Sequence, residues 1–210
     1  MKLLLVGAGT YGQVYLSYLR EQALFEVVGF LDDNPMLNGK LIEGVPVVGN
    51  TDDLLHYRCQ GIEGIIAPIG NNKARVRILE KAQESGLLTP NFIHPTAIIA
   101  KEVVIGQGVY ILPGSIIMPY VRIHDYVMIS MSTNVAHHVE LCSGCFLSTG
   151  VNVGAGITIN KNVFVGMGAN IMTGVKSIGA DAIIGAGAVV IRDVPESVKV
   201  AGVPAKPLDS

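Results

Sequence analysis

From Ile99 to Ile171 an aliphatic residue falls at every sixth position, thirteen times without a miss: Ile99, Ile105, Ile111, Ile117, Ile123, Ile129, Val135, Leu141, Leu147, Val153, Ile159, Val165 and Ile171. After a one-residue slip the series resumes at Ile178, Ile184 and Val190. Four residues behind each aliphatic comes a second, smaller residue, as at Val109, Ser115, Thr133, Cys145, Ala169 and Ala188. Glycine often follows the aliphatic directly, as at Gly106, Gly154, Gly166, Gly179 and Gly185. An amphipathic helix repeats at 3.6 residues and a half-buried strand at 2. A period of six with a small residue in fifth place is instead the hexapeptide pattern of a parallel β-helix. Three hexads make one triangular coil, and coils stack at strand spacing, about 4.8 Å. Each coil buries its apolar columns only against its neighbours. The pattern places Cys145 inward, puts a one-residue bulge between Ile171 and Ile178, and predicts that "RDVPESVKVAGVPAKPL" leaves the repeat.

The first half has a different rhythm. "KLLLV" (residues 2–6) is a short apolar run followed by "GAGTYG", Gly7 to Gly12. A helical stretch to about residue 23 and a second strand, "FEVVGFLDD", come next. A third strand, "GIIAPIG", leads into "NNKARVRILEKAQESG", a helix that Asn71 or Asn72 could cap. Strand, glycine loop, helix, strand and acid in that order predict a Rossmann-like α/β half domain. Glycines let a backbone approach a phosphate closely, and a helix N-terminus favours negative charge. Asp32 and Asp33 would then accept hydrogen bonds from the ribose or contact the base. The alternatives are a NAD-dependent dehydrogenase and a glycine loop that only makes a tight turn. About 95 residues before the repeats are too few for both halves of a dinucleotide fold. The expected division is 1–95, binding a mononucleotide or nucleotide-sugar, and 96–210, the β-helix with its tail.

Composition narrows the function. Half the residues are apolar, aromatics make up 6% and charged residues 15%, so the chain is a Val/Ile/Ala-rich globule rather than a disordered one. A net charge of −2 gives no reason to bind nucleic acid or an anionic membrane, and no apolar run approaches a membrane span. "MKLLLVGAG" reaches glycine too soon for a signal peptide and reads as a strand. Three cysteines, Cys59, Cys142 and Cys145, argue against a disulfide framework and fit the cytoplasm. Cys142 and Cys145 form a C-x-x-C, but no further ligands complete a zinc site, so no metal is expected. Outward positions such as Met118, Tyr120, Met128, Met131 and Phe164 are uncharged, which predicts an interface closed by cyclic symmetry, a homotrimer.

Two of the five histidines are adjacent, in "NVAHHVELC" (134–142). His137 is third in the hexad opened by Val135, hence at a corner and outward. The same corner one coil later is Ala155, within "GAGIT". An imidazole can take a proton from an attacking amine or hydroxyl. A backbone N–H at Ala155, about one strand spacing away, could serve the developing oxyanion. His94 and His124 read as solvated or junction residues.

"GAGTYG", "GFLDD", "PIGNNKARVRI", "PNFIHPTAIIA", "MPYVRI", "NVAHHVEL", "GAGITI" and "AGVPAKPL" together resemble the sugar O-/N-acyltransferase family. That family includes the sialic acid O-acetyltransferases and the UDP-bacillosamine-type N-acetyltransferases. The resemblance covers the whole chain. It implies a left-handed β-helix, a homotrimer, acetyl-CoA in the groove between neighbouring β-helices and a nucleotide-sugar in the N-terminal domain. It implies His137 as the catalytic base, with His138 secondary and standing where the family typically has an acid. It implies substrate contacts from Gly7, Gly9, Thr10, Tyr11, Gly12, Asp32, Asp33, Gly70 and Asn71. Tyr11 stands where members often carry histidine. Contacts to the coenzyme are implied for Phe146, Ala155, Gly156, Gly168, Gly174 and Lys206. Phe146 occupies the place of a second histidine found in some members. The implied reaction is N-acetylation of a nucleotide-linked amino sugar for surface-glycan synthesis. Sialic-acid-type O-acetylation and a non-catalytic nucleotide-binding β-helix protein are the alternatives. A zinc site like that of hexapeptide-fold carbonic anhydrases is not expected, because adjacent His137 and His138 would point in different directions.

Overall fold

The computed structural model describes every residue except Leu24, Asp53, Asp209 and Ser210. The chain divides into two compact units, Met1–Pro90 and Asn91–Ser210.

In the first unit β1 (Lys2–Val6), β2 (Glu26–Leu31), β4 (Val45–Gly49) and β5 (Gly64–Ile66) run parallel, and β3 (Leu41–Ile42) joins the edge antiparallel. The sheet order is β3-β4-β2-β1-β5. β1 is central, and its Leu3 to Val6 are all buried, which is why it reads as an unbroken apolar run. Helix α1 (Thr10–Gln22) buries Gly12, Tyr15, Leu16 and Leu19, one stripe at helical spacing. A short helix, α2 (Leu54–Cys59), precedes β5, and α3 (Asn72–Glu84) follows it. Asn71 caps α3, its Oδ1 accepting from the Ala74 N–H at 3.0 Å.

The sequence reading missed β3, β4 and α2 and made the run at residues 64–70 the third strand. The third parallel strand in chain order is β4, whose Pro46 argues against a strand from sequence alone. Pro46 is tolerated because it is exposed and its neighbours Val45 and Val47 carry the burial. The β3–β4 hairpin turns through Glu43 and Gly44, both with positive φ, as a tight two-residue hairpin requires.

The second unit is a parallel β-helix of short strands in three sheets, the first holding Asn134–Val135, the second Glu140–Leu141 and the third Phe146–Leu147. Register holds at 18 residues: Ile117 pairs with Val135, Val135 with Val153 and Val153 with Ile171. The aliphatic column and the small column, Cys145 included, form one buried core. The expected bulge is present: Ile159 pairs with Ile178, one residue beyond register. The solenoid begins at Phe92–Ile93, where the Phe92 N–H donates to the Val109 carbonyl and the His94 N–H to the Ile111 carbonyl. The tail does not simply leave the repeat. Lys199–Ala201 adds a further parallel strand, Val200 is buried, and Lys206–Pro207 folds back antiparallel. This extra strand supplies carbonyls to the Ile183 and Gly185 N–H groups of the last coil.

Every sixth residue from Gly108 to Gly168 has a left-handed φ, because each corner reverses the chain there. Most are glycine or asparagine, which bear that conformation cheaply; the others are Tyr120, Tyr126, Ser132 and His138.

Candidate functional site

The first unit gathers its candidates at the carboxyl ends of β2, β1 and β5. Between β1 and β5 the strand order reverses, the point at which open parallel sheets bind ligands. Gly7 (φ +95°) turns the chain out of β1, and its N–H donates to the Leu31 carbonyl at 2.8 Å. The Ala8 N–H donates to Asp32 Oδ2 at 2.8 Å. A Cβ on Gly12 would overlap the Gly7 carbonyl oxygen, so this glycine lets α1 pack against the loop. Gly12→Ala should therefore lower the stability of this unit by about 1–3 kcal/mol, read as a shift of its chemical-denaturation midpoint.

Gly7 and Gly12 shape the loop. Only Gly9, exposed and with open space where a Cβ would stand, together with Thr10 at the start of α1, faces outward at the helix N-terminus. Asp32 spends one oxygen on Ala8 and the other on the Asn34 N–H at 2.9 Å. Asp33 is turned onto Thr51, accepting from its N–H at 3.0 Å and its hydroxyl at 2.9 Å. It ties the end of β2 to the segment after β4, a partner invisible before β4 is placed. Gly70 and Asn71 lie on the loop after β5, and Ile69 lies against Gly7. Sequence reading missed Arg75. It is fully buried, donating to the Ile69 carbonyl at 2.7 Å and to Asn72 Oδ1 at 3.0 Å, and so fixes that loop. Tyr11 is half-buried and packs edge-on against Tyr15.

In the second unit His137 and His138 occupy the corner between the strands Asn134–Val135 and Glu140–Leu141. Both are exposed. They do not point apart: Nδ1 of His137 lies 3.0 Å from Nδ1 of His138, with the rings at 90°. His138 has φ 58°, the left-handed corner conformation, and this turns its ring back onto its neighbour. Tyr120, one coil earlier, lies tilted against the His138 ring at 4.9 Å between centroids.

Ala155 and Gly156 continue this corner one coil later, and Gly174, within the bulged segment, a further coil on. The Gly156 N–H donates to the His137 carbonyl at 3.0 Å. The Ala155 N–H approaches the Thr173 hydroxyl at 3.4 Å, a long bond from which that rotatable group can swing away. Beside the corner an open groove of about 320 Å³ runs down the first sheet, between Met118, Ala136, Gly154 and Thr173. Its floor includes a ladder unnoticed in the sequence. Asn134 donates to Asn152 at 2.8 Å, and Asn152 to Asn170 at 2.9 Å, at a spacing of one coil.

The remaining coenzyme candidates lie elsewhere. Phe146 stands on the third sheet, half a coil from His137, only 7% exposed and edge-on to Phe164. Gly168 turns the corner after that sheet, and Lys206 is on the terminal antiparallel strand. Met128, expected on an exposed face, is fully buried.

The C-x-x-C cysteines are free thiols. Burial, and then the Glu140 carboxylate, push the Cys142 thiol up. His124 is not merely solvated; its Nε2 bonds Glu140 Oε1 at 2.8 Å. With Cys142 these two form the single metal-capable group among the described residues, and it does not include His137.

Residues 2–82 match the family described as the PglD N-terminal domain. No curated protein matches the chain. Among solved structures it is similar to PerB from Caulobacter crescentus in complex with CoA and GDP-perosamine, with 34% identity, 100% of this chain and 98% of that one covered, and a TM-score of 0.92. A mutant of the Caulobacter crescentus GDP-perosamine N-acetyl transferase gives 33% over the same shares, with a TM-score of 0.93. The acetyltransferase domain of PglB from Neisseria gonorrhoeae in complex with acetyl coenzyme A gives 31% over 99% of this chain and 98% of that one, with a TM-score of 0.90. The chain belongs to the hexapeptide-repeat family of sugar N-acyltransferases, and its second unit is a left-handed β-helix.

Proposed function

We propose that this enzyme transfers acetyl from acetyl-CoA to the amino group of a nucleotide-linked amino sugar, in the cytoplasm and as a homotrimer. One observation carries the reading: a solvent-facing histidine stacked one coil from a small-residue segment, beside an open groove, in a chain similar end to end to an enzyme with CoA and a GDP-amino sugar bound. His137 Nδ1 is engaged by His138, so Nε2 is the nitrogen left to act as base. The neutral sugar amine attacks the thioester carbonyl and sheds a proton to Nε2. The C–S bond then breaks, and the proton passes to the departing sulfur. The Ala155 N–H, released by Thr173, faces the developing oxyanion; Gly156 and Gly174 keep the approach open. No covalent enzyme intermediate is required, because the thioester is already activated. The coenzyme lies along the groove beside Met118 and Met172, where a second copy closes over it. Among the described residues no helix is long and apolar enough to cross a membrane.

The first unit holds the nucleotide at the ends of β1, β2 and β5, with Gly9, Thr10, Gly70 and Asn71 on the ligand side. Asp32 acts by fixing the glycine loop. The sheet is a single mononucleotide half, which favours a nucleotide-sugar over NAD. Calorimetry should show heat with a GDP- or UDP-linked amino sugar and none with NAD. Asp32→Ala frees the Ala8 N–H from a charged acceptor, a loss of about 1.5–3 kcal/mol, or about 10–100-fold in affinity. Tight NAD binding, or unchanged sugar-nucleotide affinity in Asp32→Ala, would contradict this.

A further inference from the structure

We infer that His138 is a positioning residue that sets which nitrogen of His137 carries the proton, performing with a neutral ring what a carboxylate does beside other catalytic histidines. The inference rests on the reading of His137 as the base. Two facing Nδ1 atoms 3.0 Å apart hold one proton between them when both rings are neutral. If His137 donates, its Nε2 lone pair is free and the base is competent. If His138 donates, His137 must carry its proton on Nε2, and the base is blocked. Adding one proton to the pair fills the shared bond and both Nε2 positions, so a single protonation anywhere in the pair stops the reaction.

The backbone supports a role for this side chain. Position 138 is a left-handed corner of the kind that Gly144 and Gly150 occupy at the next two corners and Gly156 at the same corner one coil later. A β-carbon there costs of order 1 kcal/mol or more, and His138 bears it while adding nothing to the buried core. Few other charges reach the pair. The preceding coil contributes Tyr120, the following coil contributes the non-titratable Ala155 and Gly156, and Glu140, two residues on, is bonded to His124.

The test compares replacements that all suit a left-handed corner. His138→Gly removes the partner and relieves the backbone, so the fold is kept. It should lower kcat/KM by about 10–100-fold, a part of the about 10²–10⁴ that a positioned base supplies, with acetyl-CoA affinity little changed. His138→Asn offers an amide oxygen to the His137 Nδ1–H and should recover most of the loss with the parent's pH profile. His138→Asp should also recover it, but should move the acid limb of the kcat/KM profile to higher pH, because a carboxylate favours the protonated neighbour. Nitrogen-15 NMR of histidine-labelled protein gives a readout free of turnover. His137 should be protonated at Nδ1 in the parent and should lose that preference in His138→Gly. Glycine at 138 with parental activity, an unmoved acid limb in His138→Asp, or His137 protonated at Nε2 in the parent would each overturn the inference. If His137→Ala is itself active, the base assignment has failed; if it is inactive while the His138 variants match the parent, only the pair has.

Discussion

His137→Ala lowers kcat for acetyl transfer by about 10²–10⁴-fold and leaves acetyl-CoA affinity nearly unchanged. The size of the effect follows from the role. Direct attack on a thioester needs a group that removes the amine proton as the C–N bond forms, and His137 stands at this corner to take it. The affinity is spared because the groove is lined by backbone and by Met118, Ala136 and Met172, not by the imidazole. The fold is spared because the inter-coil bond at this residue uses its carbonyl, accepting from Gly156 at 3.0 Å. Steady-state kinetics and calorimetry on the same preparation separate the two quantities. Parental turnover in His137→Ala would mean that the site lies elsewhere on the solenoid.

The second large effect concerns assembly. The first sheet presents Ile98 (64% exposed) and Ile116 (41%), paired in adjacent coils, with Met118 beside them, an apolar strip at one end of the sheet. A single β-helix leaves this strip in water, whereas a cyclic trimer buries it and places the groove between copies. Ile116→Arg puts a charge into the strip without touching the core. Light scattering should give three times the chain mass for the parent and a folded monomer for the variant. Turnover in the variant should fall by about 10²-fold or more, since small displacements of a bound reactant have that cost. A parent that is monomeric at micromolar concentration would remove the intersubunit groove from the account.

How much of this was legible in the sequence varies with the kind of signal. The solenoid was legible because burial enforces it at every sixth residue, and Cys145, Val153 and Ile159 land inward as counted. The glycine loop and Asn71 were legible as local chemistry. β4 was not, because Pro46 speaks against a strand, and the burial of Val45 and Val47 on either side of it shows only in the fold. The Asp33–Thr51 bond depends on that strand and was hidden with it. Phe146 was assigned by family resemblance, although counting from Val135 already sets it half a coil from His137. Both histidines were legible as candidates, but their mutual contact was not, since the reading had them pointing apart. Glycines at 108, 114, 144, 150, 156 and 168 mark a left-handed column of period six, and 138 belongs to it. A side chain leaving such a corner turns back toward its neighbour. The asparagine ladder at 134, 152 and 170 was likewise present as an 18-residue spacing.

Turnover with matched acceptors tests the central claim most directly. Thiol release from acetyl-CoA is followed with GDP-, UDP- and dTDP-linked amino sugars and with the same nucleotides carrying a hydroxyl in place of the amine, and the products are weighed by mass spectrometry. The account predicts release with at least one amino sugar, a product heavier by one acetyl group held as an amide, and none with its hydroxyl counterpart. Release confined to hydroxyl acceptors, or no release with any member of the set by a protein that binds acetyl-CoA, would contradict it.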